Sequence, residues 1–139
     1  MQINIFDAAL QNTDYREVIK TGVDSQIVIM SLRPGEDIGD EVFVEVDQST
    51  VIVEGKAEYA IRGGESGTLE EQDLLFVTGG KSHYLRNIGD TDLKLFTIYA
   101  PPELQPNTIQ ATKEDAMIDS GEMPIDEHDL YGDEFEDTY

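Results

Sequence analysis

The hydrophobic positions between residues 26 and 99 fall into short runs of β-branched, aromatic and aliphatic side chains. Runs of about four to eight such residues are typical of β-strands, and here glycine, proline and asparagine residues separate them. The pattern predicts strands over Gln26–Leu32, Thr50–Val53, Ala57–Ile61, Asp73–Val77, Ser82–Arg86 and Leu93–Tyr99. Short strands at this spacing indicate an all-β fold, either a sandwich or a barrel.

Two of the predicted strands are apolar on both faces, at residues 27–30 and 93–98. A small barrel has one interior, so the outer face of these strands must be covered. A second copy of the chain would cover it, and we therefore predict a homodimer, helped by residues 4–18 crossing onto the other barrel. The alternative is that residues 4–18 cover their own barrel and the chain stays monomeric.

The C-terminal part of the chain differs in kind from the rest. Residues 113–139 carry eleven acidic residues and one basic residue, Lys113. Thr112 and Asp115 have the spacing of a helix N-terminus, so we predict a short helix that ends near Gly121. Residues 125–139 are acidic with interspersed aromatics, and they are either a solvated tail or a segment that docks on a partner. We divide the chain into a single barrel domain with an N-terminal strand segment over residues 1–112 and an acidic helix or tail over residues 113–139.

Composition narrows the classes of function. The chain has 139 residues, enough for one domain, and its nine basic and 30 acidic residues give a net charge of −21. Such a charge repels nucleic acid and anionic lipid, so we predict neither as a partner. The absence of cysteine excludes disulfides, thiolate metal sites and cysteine nucleophiles. Residues 1–7 lack the pattern of a signal peptide and no apolar run is long enough to span a bilayer, so we expect a cytoplasmic protein.

The spacing of ten residues resembles the two sequence motifs of the cupin family. The first motif is matched by Gly35, Glu41, Phe43, Gln48 and Gly55, and the second by Gln72, Thr78, Gly80, His83 and Asn87. The stretch from residue 12 to residue 112 is also similar to a branch of small single-domain cupins. The resemblance implies a cupin-type double-stranded β-helix, also called a jelly-roll barrel, followed here by a short acidic C-terminal extension.

The resemblance also implies a metal site, which this sequence alters. Common cupins hold a divalent metal with three histidines and one carboxylate, and the corresponding positions here are Glu41, Phe43, Gln48 and His83. Phe43 occupies the position of one ligating histidine, and its benzyl side chain has no atom that can bind a metal. Glu41, Gln48 and His83 could still bind a divalent metal such as Zn, Ni, Mn or Fe weakly, and we expect no tightly bound cofactor. The rival interpretation makes His83 a hydrogen-bonding residue of the barrel, paired with Glu41 or Gln48.

Two further positions indicate that this chain lacks metal-binding histidines of the resembled branch. The resembled branch often carries histidine where this sequence has Leu104 and Gln110. Together with Phe43, these substitutions form a pattern of lost ligands rather than a single change.

The leading hypothesis is a small-molecule-binding cupin whose pocket is the barrel interior. Alternation along the strands predicts that the lumen is lined by Phe43, Gln48, Thr50, Ile52, His83 and Leu85. The alternative is a weakly metal-dependent enzyme, isomerase or dioxygenase-like, that uses Glu41, Gln48 and His83. A third hypothesis is an interaction protein that acts through its acidic tail and a dimer surface, with the barrel as scaffold.

Overall fold

The computed structural model of the chain describes residues 1–39 and 41–120. Its helices are α1 (Ile5–Gln11) and α2 (Lys113–Asp119). Its strands are β1 (Arg16–Thr21), β2 (Gln26–Leu32), β3 (Asp47–Glu54), β4 (Ala57–Ile61), β5 (Ser66–Leu69), β6 (Leu74–Val77), β7 (His83–Asn87), β8 (Leu93–Ala100) and β9 (Ile109–Gln110).

The strands form two antiparallel sheets that enclose a shared core. The larger sheet has six strands in the order β6-β3-β8-β2-β1-β9, and the smaller has three in the order β5-β4-β7. Asp37 and Glu41 continue the smaller sheet through single antiparallel bridges to Arg86 and His83, respectively. The predicted all-β fold is confirmed.

Side chains that alternate along the strands fill the space between the sheets. On β2, Val28, Met30 and Leu32 point inward, and they meet Leu95 of β8 and Ile52 of β3 in one cluster. Burying an aliphatic side chain of this size contributes roughly 1.5–3 kcal/mol. The apolar residues that predict these strands therefore also pack the two sheets together.

The N-terminal segment lies on the outer face of the larger sheet. Helix α1 packs against β8, β2 and β3, and the rings of Phe6 and Phe96 meet edge to face with centroids 5.7 Å apart. At the C-terminal end of α1, the buried ammonium group of Lys94 donates to the carbonyl of Asn12 and to the hydroxyl of Ser31. Residues 5–11 thus cover part of their own barrel. This agrees with the alternative in which the N-terminal segment stays on its own chain and does not cross onto a second barrel.

Part of the outer face stays open beside α1. Leu74 and Phe76 on β6 are 57% and 50% exposed, and Ile98 on β8 is 37% exposed. Phe76 and Ile98 both pair with Ser49 of β3, so they lie in one row across the sheet. The homodimer therefore remains a prediction, with this apolar strip as its candidate surface.

Asn87, the last residue of the second motif, is a structural residue of the barrel. Its fully buried amide donates to the carbonyls of Leu32 and Thr91, at 2.9 and 2.8 Å, and accepts from the backbone of Gly89 at 2.8 Å. These bonds close the turn between β7 and β8, and they satisfy backbone groups that would otherwise be buried unpaired.

The short C-terminal helix begins where the sequence predicts. The Thr112 hydroxyl accepts from the backbone of Asp115 at 3.1 Å, and the Asp115 carboxylate accepts from the backbone of Thr112 at 3.2 Å. This reciprocal pair is a capping box. The predicted acidic tail at residues 125–139 lies outside the described residues. Within the described residues, no helix has the length and hydrophobicity needed to cross a membrane.

Candidate functional site

A cavity of about 960 Å³ lies where the edges of the two sheets approach each other. Its walls come from the start of β1, residues 38–39 and 41–43, the loop before β9, and helix α2. We call it the edge cavity. The residues that define its chemistry are Tyr15, Arg16, Glu41, Phe43, Leu104 and Gln110.

A buried ion pair forms one wall of the edge cavity. Arg16 Nη2 lies 2.7 Å from Glu41 Oε2, and the two side chains are only 6% and 17% exposed. The Arg16 guanidinium also lies over the ring of Tyr15, with its carbon 5.5 Å from the ring centroid. Arg16 Nε is buried and has no hydrogen-bond partner among the described residues. The site therefore holds a permanent cation with unused hydrogen-bonding capacity.

Aromatic rings surround this pair. Phe43 meets Tyr99 edge to face with ring centroids 5.4 Å apart. Burial raises the pKa of Tyr15 and the pKa of Tyr99 well above the usual range for a phenol, so both hydroxyls stay protonated. The ion pair consequently lies in a weakly polar environment, where its charges are poorly screened.

Glu103 adds a second carboxylate to the cavity wall. Glu103 is an exposed residue whose pKa is raised by partial desolvation and further by repulsion from Glu41, while Arg16 opposes the shift. The two carboxylates are thus close enough to interact.

The loop that carries Glu103 is held by a residue beneath it. The amide oxygen of the fully buried Gln26 accepts from the backbones of Glu103 and Leu104, at 3.1 and 3.0 Å. The amide nitrogen of Gln26 donates back to the carbonyl of Leu104 at 2.8 Å. This wall of the edge cavity is therefore fixed by side-chain hydrogen bonds rather than by strand pairing.

Comparison with known proteins identifies the fold. The family model described as a cupin domain matches residues 28–99, which is more than half of the chain. The chain belongs to the cupin family. The predicted cupin-type double-stranded β-helix is confirmed by the structure of the protein BH2720 from Bacillus halodurans. That structure is 31% identical, has a TM-score of 0.83, and matches 85% of this chain and 93% of its own.

Two curated relatives of this cupin are described as uncharacterized proteins. YrkC of Bacillus subtilis is 36% identical over 122 residues, a match that covers 83% of this chain and 64% of YrkC. An uncharacterized protein of Acanthamoeba polyphaga mimivirus is 36% identical over 115 residues, covering 80% of this chain and 71% of the viral protein. The chain thus spans slightly less than two thirds of the length of the Bacillus relative.

The six lumen residues predicted for this cupin occupy two different places. Phe43 lines the edge cavity, whereas the other five are buried in the barrel and are absent from the cavity wall: Gln48, Thr50, Ile52, His83 and Leu85. The hydroxyls of Thr50 and Thr97 lie 2.8 Å apart, so they satisfy each other. Whether these five residues contact a ligand stays a prediction.

The predicted metal ligands Glu41 and His83 are neighbours through their backbones. The two residues exchange backbone hydrogen bonds of 2.9 and 3.0 Å, but the Glu41 carboxylate bonds to Arg16. His83 Nδ1 is buried without a partner in the described part of the chain. The rival interpretation allowed His83 to pair with Glu41 or Gln48, and the structure does not have the side-chain pairing with Glu41.

Three positions at which the resembled branch carries histidine meet in one place. Phe43, Leu104 and Gln110 all line the edge cavity, together with Glu41. The Gln110 amide donates to Asp119 of α2 at 3.0 Å, and its amide oxygen is buried without a partner among the described residues. At these three positions the edge cavity therefore presents a phenylalanine, a leucine and a glutamine where the resembled branch presents histidine.

The residues that line the edge cavity do not fit a divalent metal ion. Phe43 and Leu104 offer no ligand atom, and Glu41 already neutralises a guanidinium, whose positive charge opposes a second cation nearby. Within residues 1–39 and 41–120, no group of three or more histidine, aspartate or glutamate side chains is placed to hold a metal. Weak binding to Glu41, Gln48 and His83 stays a prediction.

Sequence reasoning missed Arg16, Tyr15 and Glu103. One local signal for Arg16 is its alternation with Val18, which places an arginine on the inward face of a short strand. Its partner Glu41 is 25 residues away along the chain. A pattern read over neighbouring residues therefore does not join the two.

Proposed function

We propose that this cupin binds a small organic molecule in the edge cavity and does so without a metal. The observation that supports the proposal is the buried Arg16–Glu41 pair in the wall of a cavity of about 960 Å³. Concave sites that combine apolar walls with a few placed polar groups are the usual form of small-molecule sites. The metal-dependent alternative requires Glu41 as a ligand, and Arg16 competes for that carboxylate.

Thermal-shift screening with sugars, organic acids and aromatic metabolites tests this proposal. A ligand at about 100 times its Kd adds about 2.7 kcal/mol to folding, so we expect at least one class to raise Tm by about 5 °C or more. In Ala116→Phe, which fills the cavity from α2, the shift should disappear. The matched control Ala111→Phe alters an exposed alanine outside the cavity wall and should keep it. A flat response to every class would contradict the proposal.

We further propose that two copies of the chain pair through the apolar strip of Leu74, Phe76 and Ile98. Leaving large apolar side chains in water forgoes roughly 1.5–3 kcal/mol apiece, whereas the repulsion from a net charge of −21 is screened beyond about 8–10 Å at physiological salt. Burial therefore favours the dimer.

Light scattering at physiological salt measures the assembly. We expect a mass of twice the 15.5 kDa of one chain. Phe76→Glu places a charge in the strip and should give monomers, whereas Val23→Glu, at a residue 91% exposed and outside the strip, should not. A wild-type mass of one chain at micromolar concentration would exclude the dimer.

A further inference from the structure

Given the ligand-binding function proposed above, on which this inference rests, we infer that the ligand of the edge cavity carries a carboxylate that Arg16 binds. The inference concerns the chemical class of the ligand. It follows from the hydrogen-bonding state of Arg16, from the charges around it and from the apolar side chains of the same cavity.

The guanidinium group of Arg16 has more hydrogen-bond donors than it has hydrogen-bond acceptors around it. The residue is 5% exposed and lines the edge cavity, its contact with Glu41 runs through Nη2 alone, and its Nε has no partner among the described residues. Buried donors without an acceptor are costly, so a ligand that supplies an acceptor gains more here than it would at the surface. The planar guanidinium fork matches a carboxylate or a phosphate group.

The charges of the cavity favour a carboxylate over a phosphate. Glu41, Glu103 and Asp119 line the same cavity as Arg16, and Lys113, the other cation of the lining, is paired with Asp37. A phosphate group with nearly two negative charges would meet this acidic surface at close range. A carboxylate carries one negative charge and keeps the bond to the guanidinium with less repulsion.

The body of the ligand must be apolar. Phe43, Leu104 and Met117 contribute carbon surface to the cavity, and Phe43 presents an aromatic ring. Burial of an apolar group against this surface contributes in proportion to the area removed from water. An aryl or alkyl carboxylate therefore satisfies both parts of the site.

Three compounds with the same ring and chain but different charge test the inference. Phenylacetate is an anion, phenylacetamide is neutral and 2-phenylethylamine is a cation, and calorimetry or NMR titration at physiological salt gives their affinities. We expect phenylacetate to bind at least about tenfold more tightly than either of the others. Equal or tighter binding of the amide or the amine, or no binding of phenylacetate up to about 10 mM, would overturn the inference.

The variant Glu41→Gln separates an effect of Arg16 on the ligand from a structural effect. Glu41→Gln removes the carboxylate that competes for Arg16, so the affinity for phenylacetate should rise several-fold even though the free protein is less stable. A purely structural role of the pair would lower the affinity instead, and that result would count against the inference.

A charge-matched pair keeps the test valid if Glu41→Gln fails to fold. Gln105→Glu adds a negative charge to the cavity wall at an exposed residue, whereas Gln2→Glu adds the same charge at an exposed residue outside it. Only Gln105→Glu should weaken phenylacetate binding, by about threefold or more at low salt. Equal effects of the two variants would contradict binding in this cavity.

The failure of the inference differs from the failure of the proposed function. If neutral sugars or amines raise Tm and carboxylates do not, the cavity binds small molecules and the assignment of a carboxylate is wrong. If no class of compound raises Tm, the proposed function fails as well.

Discussion

Glu41→Leu is expected to lower the free energy of unfolding by about 3 kcal/mol or more. Arg16 would keep its charge inside the protein while losing the carboxylate 2.7 Å away, and an uncompensated buried charge is far more costly than an exposed one. Arg16→Met should have a cost of the same sign, since it leaves Glu41 without its cation. Urea unfolding of each variant measures both effects.

The double variant Arg16→Met/Glu41→Leu should recover most of the lost stability. Replacing both members of a buried pair with apolar residues of similar volume is often neutral or stabilising, because neither charge must then be desolvated. The control is Glu58→Leu in the Arg86–Glu58 pair, whose side chains are 43% and 33% exposed and which should show a much smaller effect. If the two single costs simply add in the double variant, the charges are not coupled.

Restoring three histidines is expected to convert the edge cavity into a metal site. The variant Phe43→His/Leu104→His/Gln110→His supplies imidazole nitrogens from three residues that line the same cavity as Glu41. Zinc sites commonly use such nitrogen and carboxylate ligands. We expect about one zinc per chain after loading and dialysis, measured by elemental analysis, against less than about a tenth in the wild type.

The single variant Phe43→His shows how much of the gain in metal affinity comes from one histidine. It should raise metal affinity by at least about tenfold, or roughly 1.4 kcal/mol, with a further gain in the triple variant. A triple variant that retains less than about a tenth of a zinc per chain would show that the three positions do not converge on one ion. Adding Glu41→Gln to the triple variant should weaken the site, because one anionic ligand is lost.

Much of the fold could be predicted because its strands carry their own local signals. Strands β2 and β4 have the predicted limits, Gln26–Leu32 and Ala57–Ile61, and both combine aliphatic runs with flanking turn residues. Strand β5, Ser66–Leu69, was missed because its sequence SGTL has little apolar content and lies at a sheet edge. Helix α1 was missed because it is stabilised by docking on the outer face, which a short window of sequence does not reveal.

The site was predicted only in part. The motif spacing identified Glu41 and Phe43, and both line the edge cavity. It did not identify Arg16, because two residues far apart in the chain meet only where the sheet edges approach each other. The loop wall likewise depends on Gln26, which lies 77 residues from Glu103. Contacts between residues so far apart in the chain follow from tertiary packing, and the local alternation of polar and apolar residues does not predict them.

The burial of Lys94 makes one amine a chemical reporter for the N-terminal helix. Its nitrogen is hydrogen-bonded beneath the end of α1, whereas Lys20, Lys56 and Lys81 are exposed. An acylating reagent reaches the exposed amines directly, and we expect it to reach Lys94 when α1 lifts from the sheet, because that motion removes the Asn12 carbonyl from the amine. The acylation rate of this single side chain therefore follows the docking equilibrium of a whole helix, separately from unfolding of the barrel.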